Sequence, residues 1–369
     1  MKLEIDRTEL VNALALANKA IAGKTTRAIL ANVLMKAAND KLQLVGTDGE
    51  QMMIVELPAS IDKEGSLTVP AKLMLELCSG LPTNSLFPVS LEMSESDYKL
   101  TIALDKSKYE INTMSADDYP PVPNLSDLEM AEIKGSILAL AMKQASIAAD
   151  QSDGVNPVQK AVYVDFTNEP IAAGTDSKRL AVVKINDFEA PANMKAGLIL
   201  PIKAVKELTE MLKNADVADF AMYKQQLVCK VDSITYMTRT VEGRYPDVMR
   251  VLPKSSTSSV IISRKGLAQA LKSLAPIAKN CSNAVVYEFA DGMLKLSANS
   301  PENGKAETKL DCKIDGEAPK IGLNLQFVND FLASVDCDNV KMELTTASYP
   351  VLFSANDGDQ RYVAMPLSF

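Results

Sequence analysis

The sequence predicts an α+β chain made of three copies of one module, each with two helices and a set of strands. Three observations lead there. A short strand feeding an amphipathic helix is written three times. A second helix follows each of these at a similar interval, and a proline-bearing stretch closes each copy. Self-similarity at a long period outranks any single motif, because it sets the architecture in which motifs sit.

The first helices lie in "LEIDRTELVNALALANKAI", "EIKGSILALAMKQASIAA" and "IISRKGLAQALKSLAPIA". Ile5, Ile133 and Ile262 define one position. Leu10, Leu138 and Leu267 then coincide, as do Leu14, Met142 and Leu271, and Ala17, Ala145 and Leu274. Steps of four and three put these on one helical face. Asp6 with Glu9, and Ser263, supply N-caps. Pro276 should end or kink the third helix in its last turn.

The second helices are expected in "VPAKLMLELCSGLP", "LPIKAVKELTEMLKN" and "LNLQFVNDFLASV". Pro70 and Pro201 are expected in the first turn, where proline is tolerated, with Asn324 in the third copy. An acid and an apolar residue recur in each: Glu76-Leu77, Glu207-Leu208 and Asp330-Phe331. Pro120, Pro246 and Pro366 mark the ends of the copies, and alternating runs such as "KLQLVG", "AVYVDF" and "MLKLSA" read as strands. "PPVPNLSDLEMAE" and "LPKSSTSS" have the Pro and Ser content of linkers. The expected domains are 1–126, 127–254 and 255–369.

Composition narrows the chemistry. There is no histidine, which removes the commonest general base and metal ligand. The five cysteines form no CxxC, so neither a disulfide frame nor a zinc site is expected, and a reducing cytoplasm fits. No cofactor is expected. No apolar run is long enough to span a bilayer, and the start does not read as a signal peptide. A net charge of −8 argues against a uniformly basic nucleic-acid binder but allows one basic surface on an acidic body.

"GTDSKRLAVV" invites an enzymatic reading of Asp176, Lys178 and Arg179. Yet "GTDGEQMMIV" repeats the frame in copy one, with Gly46 and Gly174 aligned. Thr175 and Asp176 are therefore expected to satisfy backbone groups in a reused turn. Lys178 and Arg179 belong to copy two alone.

Three like domains in one chain make an arc, and arcs joined by a heterologous contact close into a ring. The first helices carry bases with little acid: Arg264, Lys265, Lys272 and Lys279 in the third, Lys134 and Lys143 in the second. Solvated helix faces would also explain them. Equivalence by repeat instead places six helices on one face of such an assembly.

"EGRYPDVMRVLP", "GTDSKRLAVV" and "YVAMPLSF" on this threefold chain resemble the bacterial DNA sliding clamps, the beta subunits of DNA polymerase III. The resemblance covers the whole chain. It implies three clamp-type domains, each with two helices on an antiparallel sheet, and a homodimeric ring of six domains around double-stranded DNA. It implies a processivity factor with no chemistry of its own, holding DNA polymerase and clamp loader subunits through short peptides. The implied peptide cleft uses Thr175, Lys178, Arg179, Leu180, Pro246, Arg250, Val251, Val363, Met365, Pro366 and Leu367, with Gln159 a weaker match. Leu180, Val251, Met365 and Leu367 would form an apolar pocket, framed by Arg179 and Arg250. Lys24, Gln151, Lys203 and Lys279 are the implied DNA-facing residues. The family commonly has Gly-His-Arg-Leu where Ser177-Lys178-Arg179-Leu180 stands here, and this chain ends Leu367-Ser368-Phe369. Domain one should join domain three of a second copy. Phe327 and Leu73 are apolar candidates for that contact, although burial in their own module explains them as well.

Three alternatives stay open on residues alone. One is an enzyme around Asp176, Lys178 and Arg179, which lacks every phosphate-loop, dinucleotide or metallohydrolase motif. Another is a monomeric repeat-built scaffold without DNA. The last is a trimeric ring clamp, whose chains carry two repeats where three are counted here.

Overall fold

The computed structural model describes every residue except 24, 84, 95–97, 153–155, 168, 187–196, 356–357 and 369. Lys24 and Phe369 thus lie outside the described residues. The α-helices among those described are α1 (Arg7–Lys19), α2 (Ala71–Gly80), α3 (Gly135–Ser146), α4 (Ile202–Leu212), α5 (Val248–Val251), α6 (Arg264–Ala278) and α7 (Leu325–Ser334). The first helices of the copies are α1, α3 and α6; the second are α2, α4 and α7. The nine residues assigned to the buried face of α1, α3 and α6 are all 0–1% exposed.

Local chemistry sets the helix starts. Asp6 accepts hydrogen bonds from the Thr8 and Glu9 amides at 2.7 and 3.0 Å, and Ser263 accepts from Gly266 at 3.3 Å. Asn324 caps α7 through the amides of Gln326 and Phe327. Pro70 and Pro201 sit one place earlier than expected, at the N-cap, with φ of −56° and −55°. Each ends a strand that runs straight into its helix, and the fixed φ of proline suits both states. Pro276 is inside the last turn of α6, which ends two residues later.

Every strand pairing among the described residues is antiparallel. The chain forms two compact units. One comprises Met1–Ile133 and Ala215–Arg239, with a five-stranded and an eight-stranded sheet. In the larger sheet Ile234–Arg239 pairs along Gln51–Pro58, with Met237 opposite Met52, so strands of the central copy extend the sheet of the first. α1 packs on this sheet and beside α2.

The other unit comprises Lys134–Asn214 and Thr240–Phe369. Its twelve-stranded sheet likewise joins two copies, through Arg179–Lys184 against Gln360–Ala364. α3 covers Ile171–Thr175 and Arg179–Lys184, and α6 covers Met293–Ser300 and Gly304–Asp315. Gly304–Asp315 is a strand of 12 residues with no fully buried position; Ala306, Leu310, Cys312 and Ile314 alternate along it with exposed charged residues and pack against the core at partial exposure.

The repeat extends to single contacts. A Cβ on Gly46 would collide with the carbonyl oxygen of Ala17, and one on Gly174 with that of Ala145. The Tyr119 hydroxyl donates to the Val45 carbonyl at 2.8 Å, and that of Tyr245 to Ala173 at 3.3 Å. Pro120 and Pro246 therefore each follow a tyrosine that pins its closing segment to its own module.

Candidate functional site

The two Gly-Thr-Asp turns have one hydrogen-bond pattern. In the first, Thr47 Oγ1 donates to the Gln51 carbonyl at 2.6 Å and accepts from Gly49, while Asp48 Oδ1 accepts from Glu50 and Gln51. In the second, Thr175 Oγ1 donates to the Arg179 carbonyl at 2.7 Å and accepts from Ser177, while Asp176 Oδ1 accepts from Lys178 and Arg179. Gly49 has φ of 95° and Ser177 has φ of 71°, so a left-handed residue presents the next two side chains in each. Thr175 and Asp176 are architectural. The Gln159 amide donates to Ser177 Oγ at 2.6 Å and braces the same turn.

Arg179 is committed inside the molecule. Its Nε donates to Asp176 Oδ2 at 2.9 Å and its NH1 to Asp330 Oδ2 at 2.5 Å. The guanidinium lies over the Phe327 ring, 4.5 Å from the centroid, and its side chain is only 12% exposed. Burial opposes its charge, but Tyr362, Asp330 and Asp176 more than offset this and raise its pKa above the usual arginine value. Burial likewise pushes the Tyr362 phenol up, against the pull of Arg179. Arg179 therefore positions the turn against α7, where sequence reading had it framing an open pocket for partner carbonyls. Asp330 had been noted only as a repeated helix acid. Phe327, an interface candidate, is half-buried under Arg179, while Leu73 is exposed.

The apolar residues divide into floor and surface. Leu180 pairs with Val363 across adjoining strands, and they are 3% and 2% exposed. Both belong to a cluster with Tyr245, Val248 and Leu252. Leu180 thus offers no open pocket wall. Val251 and Met365 are 51% and 42% exposed. The Met365 amide donates to the Lys178 carbonyl at 2.9 Å, and the Leu367 amide to Gly322 at 2.8 Å, so the C-terminal stretch is laid along the turn. Pro366 and Leu367 are half-buried. Pro246, Lys178 and Arg250 are exposed, and Arg250 Nε pairs with Asp247 at 2.9 Å. Such an exposed pair contributes little and exchanges readily for another carboxylate.

Gln151, Lys203 and Lys279 are exposed; Lys203 is on the first turn of α4 and Lys279 caps the end of α6. Between α3 and α4 lies a cavity of about 550 Å³ lined by Leu140, Lys143, Lys206 and Lys213 among others. Lys143 is one of the bases that the sequence places on the first helices. No helix is long and apolar enough to cross a membrane, and no metal-binding group of acids and cysteines occurs, among the described residues.

A thrice-repeated antiparallel sheet-and-helix module, with sheets that join successive copies, defines a clamp-type protein. The chain belongs to the DNA polymerase III beta subunit family, whose N-terminal, central and C-terminal domain models match residues 1–125, 132–247 and 249–368. Relatives include the beta sliding clamps of Escherichia coli K12, 29% identical over 375 residues, and Vibrio cholerae, 28% identical over 374, each covered fully in both chains. The solved Pseudomonas aeruginosa DNA polymerase III subunit beta is 25% identical, with a TM-score of 0.93 over the whole of both chains.

Proposed function

We propose that this chain is a DNA sliding clamp, a non-catalytic processivity factor that encircles duplex DNA in the cytoplasm. Two chains close as a homodimeric ring of six modules, with module boundaries at 1–126, 127–254 and 255–369. The observation that supports this best is the threefold module, whose first two copies share single hydrogen bonds, in a member of this family.

DNA is held by topology, with weak contact from Gln151, Lys203, Lys279 and Lys24. Each phosphate neutralised adds about 0.9 to the slope of log affinity against log salt, so a strongly basic bore would grip one spot. A net charge of −8 suits a ring that must move along DNA.

Polymerase and clamp loader subunits dock by short peptides at the edge formed by Lys178, Pro246, Arg250, Val251, Met365, Pro366 and Leu367. Exposed Val251 and Met365 supply the apolar contact, and Arg250 the exchangeable charge. Thr175, Arg179, Leu180 and Val363 hold that edge in shape. Capture of the protein on an immobilised Gln-Leu-x-Leu-Phe-type peptide tests this reading. Met365→Ala should abolish capture, and Arg179→Ala should weaken it through loss of the turn. Capture unaffected by both would refute the cleft.

A further inference from the structure

We infer that the unit made of Met1–Ile133 and Ala215–Arg239 has its own peptide-binding groove, distinct from the one proposed at Lys178 and Met365. It is a cavity of about 640 Å³ lined by Met52, Pro120, Pro121, Tyr223, Lys224 and Arg239. That is within the roughly 300–1,000 Å³ range of small-ligand sites.

The groove is the repeat of the other one, built from the same hydrogen bonds. The Arg239 amide donates to the Glu50 carbonyl at 3.0 Å, as the Met365 amide does to Lys178 at 2.9 Å. The Tyr236 hydroxyl donates to Gln51 Oε1 at 2.7 Å, in the place where Tyr362 faces Arg179. Pro120 follows Tyr119 as Pro246 follows Tyr245, each tyrosine bonded to the strand behind. The frame is thus preserved, and here it borders a cavity whose lining mixes apolar Met52, Met237 and prolines with glutamines and charges.

The wall chemistry differs, and it identifies the occupant. Glu50, Gln51 and Met52 replace Lys178, Arg179 and Leu180. Methionine is flexible and polarisable, so Met52 adapts to a large apolar side chain. Lys224 is at a turn with φ of 56°, its ammonium 5.2 Å from the Tyr223 ring centre. Arg239 meets Glu50 at 3.5 Å with both side chains more than half exposed, a pair that an incoming carboxylate displaces at little cost. Two cations against one acid make this rim net positive on an acidic chain. The fitting partner is a short extended peptide with an acidic residue beside a large apolar one. This holds whether or not the Lys178 edge binds anything.

The test uses the full-length protein with ¹³C-labelled methionine methyls, titrated with acetyl-Asp-Leu-Phe-amide. Saturable shifts are expected at Met52 and Met237, which also lines the groove. Acetyl-Lys-Leu-Phe-amide should bind about tenfold more weakly. Lys224→Glu with Arg239→Glu should weaken the acidic probe about tenfold or more. Lys224→Ala, which adds no charge beside Glu50, should weaken it about threefold. Still signals at Met52 and Met237, equal binding of both probes, or undiminished binding to the double variant would overturn the inference. A Met365 signal still under the Gln-Leu-x-Leu-Phe-type peptide would count against the proposed clamp edge and leave this groove standing.

Discussion

Arg179 holds Asp330 at 2.5 Å across 151 positions of sequence, and so ties the Gly-Thr-Asp turn of the central copy to a helix of the third. The carboxylate of Asp176 and the ring of Phe327 complete its surroundings. One side chain therefore sets where Lys178 and the C-terminal stretch meet.

Removing Arg179 leaves Asp176 and Asp330 facing each other without a cation. Breaking a buried pair on one side costs about 3–5 kcal/mol, and the partial exposure of this site places Arg179→Ala at or below the low end. Arg179→Lys should rescue only part, because an ammonium cannot serve both carboxylates in one plane. Urea unfolding of the three proteins checks this; equal midpoints would contradict it.

Gly174→Ala and Gly46→Ala should both destabilise, since each Cβ meets a helix carbonyl at a close approach. Overpacking of this kind costs about 1–3 kcal/mol. Gly80→Ala, with open space around it, is the neutral comparison. Calorimetric melting of all three should separate the first two from the last.

Burial pushes the Cys78 thiol up to about 12, and burial with the Asp165 carboxylate pushes the Tyr163 phenol up to about 12. Both groups are neutral when protonated. Their unfolded values are about 8.5 and 10, so their contribution is complete below about pH 8.5 and is lost as pH rises towards 12. Stability in urea should be level from pH 7 to 8 and fall above that. Native Cys78 should resist iodoacetamide at pH 8; alkylation at the rate of a free thiol would refute its burial.

Much of the fold was legible because its signals are local and repeated. Leu10, Leu138 and Leu267 recur on helical faces, and Asp6 and Ser263 cap within three residues. The strand Gly304–Asp315 also has a local signal, since Ala306, Leu310, Cys312 and Ile314 alternate with charged residues that face solvent. At the candidate site, the reused turn of Thr175 and Asp176 could be read from its copy at Thr47 and Asp48. The commitment of Arg179 could not, since Asp330 comes near only after the sheet joins two copies. The burial of Leu180 likewise depends on Val363, which the distant C-terminal strand supplies.

Retention on DNA tests the clamp itself most directly. The protein is loaded by the host clamp loader on a nicked circular plasmid, separated from free protein, and the circle is then cut once. Topological holding requires that the protein stay on the circle and leave within the time of linearisation. Equal retention on circular and cut DNA would contradict a sliding ring.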